Sequence, residues 1–250
     1  MDLRLRGQTA IVTGASTGIG RAIARTLADE GVKLAVVARR RELLESLGAE
    51  ILAAGGSAPA IVVADMLAPD SPQRVRDEAV AALGVIDILV NCAGQSRPLP
   101  VEAGDEQWDE AMTLNFTRVR QLTHAVLPQM RERRHGRIIN ITGKSEPDRL
   151  NAAFAAKAGI HAWSKGLSKE IGKQGITVNC VAPGRIMSEQ IRRLYPEPER
   201  QALSDTEISV GRYGEPEDVA LMVALLASPL AAYYTGIVVP VDGGLRRYQF

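Results

Sequence analysis

Thr13-Gly14-Ala15-Ser16-Thr17-Gly18-Ile19-Gly20 follows the apolar run Thr9–Thr13 and opens an amphipathic stretch that ends at Gly31. Glycines at a strand-to-helix turn let the chain reverse tightly and let backbone N–H groups approach a pyrophosphate, which the helix N-terminus attracts. Gly14, Gly18 and Gly20 form the turn, and Ser16, Thr17 and Ile19 complete the expected phosphate cradle. The spacing G-x-x-x-G-x-G is one residue longer than the common dinucleotide fingerprint. A lone glycine-rich turn is weak evidence; a strand before it and a helix after it make it a dinucleotide-binding turn.

Outward from that turn, short apolar runs alternate with helical patterns. Strands are expected at Thr9–Thr13, Lys33–Ala38, Ala60–Ala64, Ile86–Asn91, Arg137–Thr142, Thr177–Ala182 and Gly236–Val241. Most are continuously apolar, as strands covered by helices on both faces must be. Helices are expected at roughly 18–30, 40–54, 70–83, 105–133 and 152–173. The alternation predicts an α/β fold: one doubly wound, mostly parallel, seven-stranded Rossmann sheet spanning residues 1–250 as a single domain. Residues 188–214 interrupt it with Tyr195-Pro196-Glu197-Pro198 and many charges, and read as a mobile substrate-side excursion.

Thirty basic residues against 29 acidic ones leave a net charge of +1, which implies no general attraction to nucleic acid or membrane. No apolar run approaches the 18 residues of a membrane span, and the N-terminus has no signal-peptide pattern. Cys92 and Cys180 match no metal-ligand or CxxC spacing and read as reduced thiols, so a cytoplasmic location is expected and no metal site.

Discrimination at the adenosine ribose depends on the end of the second strand. An acidic residue there would bond a 2′-hydroxyl and favour NAD. The chain instead runs Val36-Val37-Ala38-Arg39-Arg40-Arg41. An arginine fork suits a 2′-phosphate, so Arg39, with Arg40 beside it, predicts NADP, with NAD the lesser candidate. Arg41 reads as a solvated helix start.

With Asn91-Cys92-Ala93-Gly94, Asn115 in Met112-Thr113-Leu114-Asn115-Phe116, Ala156-Lys157-Ala158-Gly159 and Pro183-Gly184-Arg185-Ile186-Met187-Ser188, the chain resembles the short-chain dehydrogenase/reductase family from end to end. By overall pattern it is most similar to 3-oxoacyl carrier-protein reductases. The resemblance implies hydride transfer between NADP(H) and a small carbonyl or alcohol substrate, and a homo-oligomer, tetramer or dimer, built on the Lys-bearing helix and the last strand. It implies that Asp65 contacts the adenine amino group, with Met66 backing the ring; a carboxylate satisfying local backbone donors is the alternative for Asp65. Asn91, Ala93 and Gly94 would let the cofactor lie close to the backbone. Pro183, Gly184, Ile186 and Ser188 would bind the carboxamide, with Arg185 a surface charge or a pocket group for an anionic substrate.

At the chemistry end the resemblance breaks. Family members hold the carbonyl with a Ser, donate the proton from a Tyr, lower that Tyr's pKa with a Lys that also holds the ribose, and anchor a relay water with an Asn. Asn115 and Lys157 match the last two, although an Asn in a long helix can also be a packed structural amide. In Asn140-Ile141-Thr142-Gly143, where the family pattern is Asn-Ile-Ser-Ser, Thr142 keeps a hydroxyl at the first Ser position and Gly143 occupies the second, usually catalytic one. Four residues before Lys157 stands Ala153, where the family has its Tyr. The interval from Gly143 to Lys157 is also shorter than usual. Replacement acids are sought in Lys144, Ser145, Glu146, Asp148 and Tyr195, with His161 one turn beyond Lys157. Loss of a general acid typically costs about 10²–10⁴-fold in rate. The alternative is a catalytically silent NADP(H)-binding subunit or sensor.

Overall fold

Seven parallel strands form one sheet in the order β3-β2-β1-β4-β5-β6-β7, in a computed structural model that describes residues 1–96, 98–143, 150–188, 191–192 and 196–245. They are β1 (Thr9–Thr13), β2 (Lys33–Ala38), β3 (Ala60–Val63), β4 (Ile88–Asn91), β5 (Gly136–Ile141), β6 (Ile176–Pro183) and β7 (Val238–Val241). The helices are α1 (Gly18–Asp29), α2 (Arg41–Ala53), α3 (Ser71–Leu83), α4 (Asp105–Met112), α5 (Arg118–Arg133), α6 (Ala152–Ile171), α7 (Glu197–Glu207) and α8 (Pro216–Ala227). Chain order reverses between β1 and β4, and this is where open α/β sheets bind their ligands.

Side chains alternate across the sheet, so each central strand feeds two cores. Ala10 and Val12 of β1, Leu34 and Val36 of β2, and Ile88 and Val90 of β4 pack with α1 and α8. Ile11, Ala35, Val37 and Leu89 face the other way, against Val75 and Ala79 of α3 and Leu122, Val126 and Met130 of α5. That double burial is why the strands read as unbroken apolar runs. None of the described helices is long and apolar enough to cross a membrane.

Two expectations need correction. The helix expected over 105–133 is three pieces, because a π-helical turn, Thr113–Thr117, separates α4 from α5. The Asn115 side-chain Nδ2 donates to the Ala111 carbonyl at 2.9 Å, taking an acceptor of the regular helical ladder, and the winding loosens there. The 188–214 stretch, where no helix was expected, contains α7, with Pro198 in its first turn, where proline costs no helical hydrogen bond. Arg185 pairs with Glu207 of α7 at 2.8 Å, and Val210 N–H donates to Gly243 O at 3.1 Å.

At the opposite end of the sheet, Asp87 joins three elements just before β4. Its carboxylate accepts from the Thr9 N–H at 3.0 Å and from Arg133 at 2.6 Å. Burial alone would raise its pKa, but the bonds from Arg133 and Thr9 outweigh burial and hold it below the ordinary 3.8. A depressed carboxylate contributes stability that is present above the unfolded value and lost as pH falls through the folded one. Asp87→Ala is therefore expected to lower the unfolding free energy by about 1–3 kcal/mol at neutral pH. In urea titrations the gap between variant and parent should narrow as pH drops below the ordinary carboxylate value.

Candidate functional site

The glycines of the first turn each answer a steric demand. Gly14 has φ +71° and lies so close to the β4 exit that a Cβ would sit 2.9 Å from the Ala93 nitrogen. A Cβ on Gly20 would strike the Gly14 carbonyl, so the helix can seat against the turn only without one. Gly18, at φ +54°, faces open space. Thr17 is the N-cap of α1 in an extended conformation, with no side-chain cap and no acidic residue in the first turn. Such a helix end, concave and unscreened by a carboxylate, fits a pyrophosphate. Arg21 steadies the turn: its guanidinium donates to the Leu43 carbonyl at 3.0 Å and pairs with Glu50 at 2.7 Å, while reaching the Ser16 carbonyl at 3.4 Å.

At the end of β2, Arg39 and Arg40 are exposed and make no ion pair among the described residues, whereas Arg41 pairs along its own helix with Glu45 at 3.7 Å. Asp65 is exposed, and its Oδ1 accepts from the Leu67 N–H at 2.9 Å, the local role weighed for it above. Met66 packs in the core beneath α3 and α5. The carbonyls of Met66 and Leu67 accept from Arg118 at 3.1 and 2.9 Å, which fixes the exit of β3 to the start of α5.

Beyond β4 the Thr13 hydroxyl accepts from both the Cys92 and Ala93 N–H groups at 3.0 Å. Asn91 turns its side chain inward, donating to Asn140 at 2.8 Å and to Thr123 at 3.2 Å. Asn140 donates onward to Ser164 at 3.0 Å, and the Cys180 thiol meets the same hydroxyl at 3.3 Å. This buried polar row crosses three strands below the cleft. Burial pushes the Cys180 thiol up to about 11, so it stays protonated. Gly94 lies where a Cβ would come within 2.8 Å of Asn115 Oδ1. Asn115 itself is buried and binds the Gln95 carbonyl at 3.1 Å and the Gln95 N–H at 3.3 Å. The same loop is tied to α6, because Asn151 donates to Ser96 Oγ at 2.8 Å and caps the helix through the Ala153 N–H at 3.0 Å.

Lys157 reaches back from α6 to the end of β5, where its Nζ donates to the Thr142 carbonyl at 3.1 Å. The Thr142 hydroxyl is buried, donating to the Val181 carbonyl at 3.1 Å and meeting His161 Nε2 at 2.8 Å. Because the hydroxyl hydrogen goes to Val181, His161 is the donor in that pair. Lys157 is half-buried and its pKa is lowered, chiefly by desolvation, with Cys92 acting weakly in the opposite sense. The Cys92 thiol is itself pushed up to about 12 by burial and supplies no counter-charge at neutral pH. Ala153 is 1% exposed, so its position is filled space rather than a vacancy. Lys144, Ser145, Glu146, Asp148 and Tyr195 lie outside the described residues. No group of three metal-ligating side chains comes together among the described residues.

Past β6, Pro183 is buried, and the Gly184 N–H donates to the Val241 carbonyl at 2.9 Å. Ile186 pairs with Gly214, and the Ser188 hydroxyl accepts from the Ile191 N–H at 3.1 Å. The glycine turn, the β4 exit, Asn115, Lys157 and the Pro183–Ser188 segment thus surround one cleft edge at the carboxyl ends of the strands.

A family model described as enoyl-(acyl carrier protein) reductase matches residues 14–246. The 3-oxoacyl-[acyl-carrier-protein] reductase of Escherichia coli is 39% identical over 248 residues, covering 97% of this chain and 99% of that protein. The chain belongs to the short-chain dehydrogenase/reductase family. Nodulation protein G of Rhizobium sp. strain N33 is 41% identical over 246 residues, covering 96% and 98%. The crystal structure of L-sorbose reductase from Gluconobacter frateurii, complexed with NADPH and L-sorbose, superposes with a TM-score of 0.93 at 29% identity, covering 99% and 100%.

Three positions that the resemblance marked as unusual lie around one side chain. Cys92 interacts with Lys157. A Cβ on Gly143 would lie 3.7 Å from Lys157 Cδ. Ala153 stands one turn before Lys157 on α6.

Sequence reading missed the residues that fasten this site: Thr13, Arg21, Arg118 and Asn151. Thr13→Val keeps the shape and removes the acceptor of two N–H groups. It should cost about 1–3 kcal/mol in thermal or urea unfolding, whereas Thr13→Ser should stay near the parent.

Proposed function

We propose that the protein is an NADP(H)-dependent oxidoreductase acting on a carbonyl/alcohol pair, with a 3-oxoacyl thioester the leading substrate class. The observation that carries this reading is the uncapped, carboxylate-free N-terminus of α1 together with Arg39 and Arg40, exposed and without ion pairs among the described residues. Gly14, Ser16, Thr17, Gly18, Ile19 and Gly20 would hold the pyrophosphate, and Arg39 the 2′-phosphate, by bidentate charge-assisted bonds. Lys157 would hold the nicotinamide ribose, and Asn115 a water beside it. When bound, NADP(H) supplies the hydride. The chain's own work is to dock the substrate oxygen, exclude water and provide a proton. The reductase from Escherichia coli and the NADPH complex of L-sorbose reductase support both the cofactor and the reaction class.

Ala153 favours a second reading, a silent NADP(H)-binding subunit, because the resemblance puts the proton donor at that position. Purified protein should quench or shift NADPH fluorescence and oxidise NADPH with at least one carbonyl compound in a panel that includes 3-oxoacyl thioesters. Binding without oxidation across the panel would favour the silent subunit.

A homo-oligomer is part of the same proposal. Edge strand β7 is only half-buried, and Leu221 on α8 and Tyr233 beyond it are exposed. Light scattering on the eluting protein should give a multiple of 26.9 kDa.

Cofactor choice gives a sharper test. Arg39→Ala should weaken NADPH binding by roughly tenfold or more, the scale of one charge-assisted bond, and leave NADH binding nearly unchanged. Equal loss for both cofactors in fluorescence titrations would remove Arg39 from the 2′-phosphate.

A further inference from the structure

We propose that Lys157 is itself the proton donor of this site, its ammonium acting directly on the substrate oxygen from a slot between Gly94 and Gly143. The proposal rests on the oxidoreductase reading above and deepens it. Its geometry is that of a lysine stem flanked by two glycines, which offer no side chains against it. A Cβ on Gly94 would lie 3.9 Å from Lys157 Cε, and one on Gly143 would lie 3.7 Å from its Cδ, so glycines at two strand exits bracket the stem. One turn earlier on the same helix, Ala153 offers a methyl group and no hydroxyl.

Elimination among the described residues points the same way. The Thr142 hydroxyl is buried between Val181 and His161. The Asn115 amide is taken by Gln95 and Ala111. Cys92 carries a proton but holds it up to about 12, which makes it a poor acid at neutral pH. Lys157 spends one of its three N–H bonds on the Thr142 carbonyl and forms no ion pair with the described residues. Lys157 keeps some exposure at the strand exits, whereas Ala153 and Ala156 on the inner face of α6 are sealed.

Among the described residues two titratable groups stand close. Cys92, from the β4 exit, interacts with Lys157 directly, and His161, from α6, bonds the hydroxyl of the threonine whose carbonyl Lys157 holds. Neither is an anion at neutral pH, so nothing among them offsets the cost of desolvating the ammonium. A lysine with a lowered pKa is a better acid than an ordinary one and moves toward the working pH, where proton transfer is most effective. The balance is simple. The carbonyl carbon gains the hydride, an N–H bond of the ammonium breaks, and an O–H bond forms at the former carbonyl oxygen. Nζ is left as a neutral amine that regains its proton from water.

The test combines a titration with kinetics. Reductive ¹³C-methylation of the cofactor-free protein, with the Lys157 signal identified by its loss in Lys157→Arg, should give a Lys157 pKa below the ordinary 10.5. For the parent, kcat/KM for carbonyl reduction should fall tenfold per pH unit above that pKa, because the protonated donor is lost as pH rises. Lys157→Arg keeps the charge but is too weak an acid, so at saturating NADPH it should reduce about 10²–10⁴-fold more slowly than the parent. A Lys157 titration in the ordinary lysine range would overturn the proposal. So would an arginine variant that reduces at the parental rate, which would move the donor to the 144–148 segment. A parent that binds NADPH and reduces nothing would sink the oxidoreductase reading first, and this proposal with it.

Discussion

The approach of Gly14 to Ala93 constrains everything built at the carboxyl end of the sheet. At this point the strand order reverses, and the backbones leaving β1 and β4 come within a methyl group's width of each other. Close approach of two backbones leaves N–H groups that water cannot serve, and the Thr13 hydroxyl serves two of them. Gly20 then seats α1 on the same turn. The helix end that can receive phosphates and the loop that leads to Asn115 are therefore two sides of one junction, so neither can move without the other.

Below that junction lies a second layer of order. The row from Thr123 through Asn91, Asn140 and Ser164 to Cys180 crosses β4, β5 and β6 inside the core. Buried amides are costly unless paired, and their pairing fixes the relative height of neighbouring strands more sharply than apolar contacts do. The two strand exits that bracket Lys157, at Gly94 and Gly143, inherit their spacing from this row. A lysine stem can thread between them because the strands are held in register by polar atoms a few ångströms beneath.

What the sequence made legible follows from local chemistry. Continuous apolar runs marked the strands, and Gly14, Gly18 and Gly20 marked the turn, because each is dictated by its own backbone. The π-turn at Thr113–Thr117 was hidden, since the side-chain bond from Asn115 to Ala111 changes the winding without changing the apolar period. Residues 197–207 were hidden by Pro196 and Pro198, which punctuate a loop and a helix start alike. Thr13, Arg21, Arg118 and Asn151 carry ordinary polar side chains whose roles are set by partners far along the chain. Their types alone could not separate a clamp from a solvated surface group. At the chemistry end the resemblance singled out Ala153 and Gly143 as unusual. Only the fold shows that these positions, with Cys92, lie around Lys157.

Asn115 and Arg118 stand three residues apart, where the π-turn passes into α5. Asn115 fastens the loop after β4, and Arg118 fastens the loop after β3 through the carbonyls of Met66 and Leu67. The two ends of the cleft thus hang from one hinge pin. A local rewinding of that turn would shorten or lengthen the span between the adenosine end and the chemistry end at once.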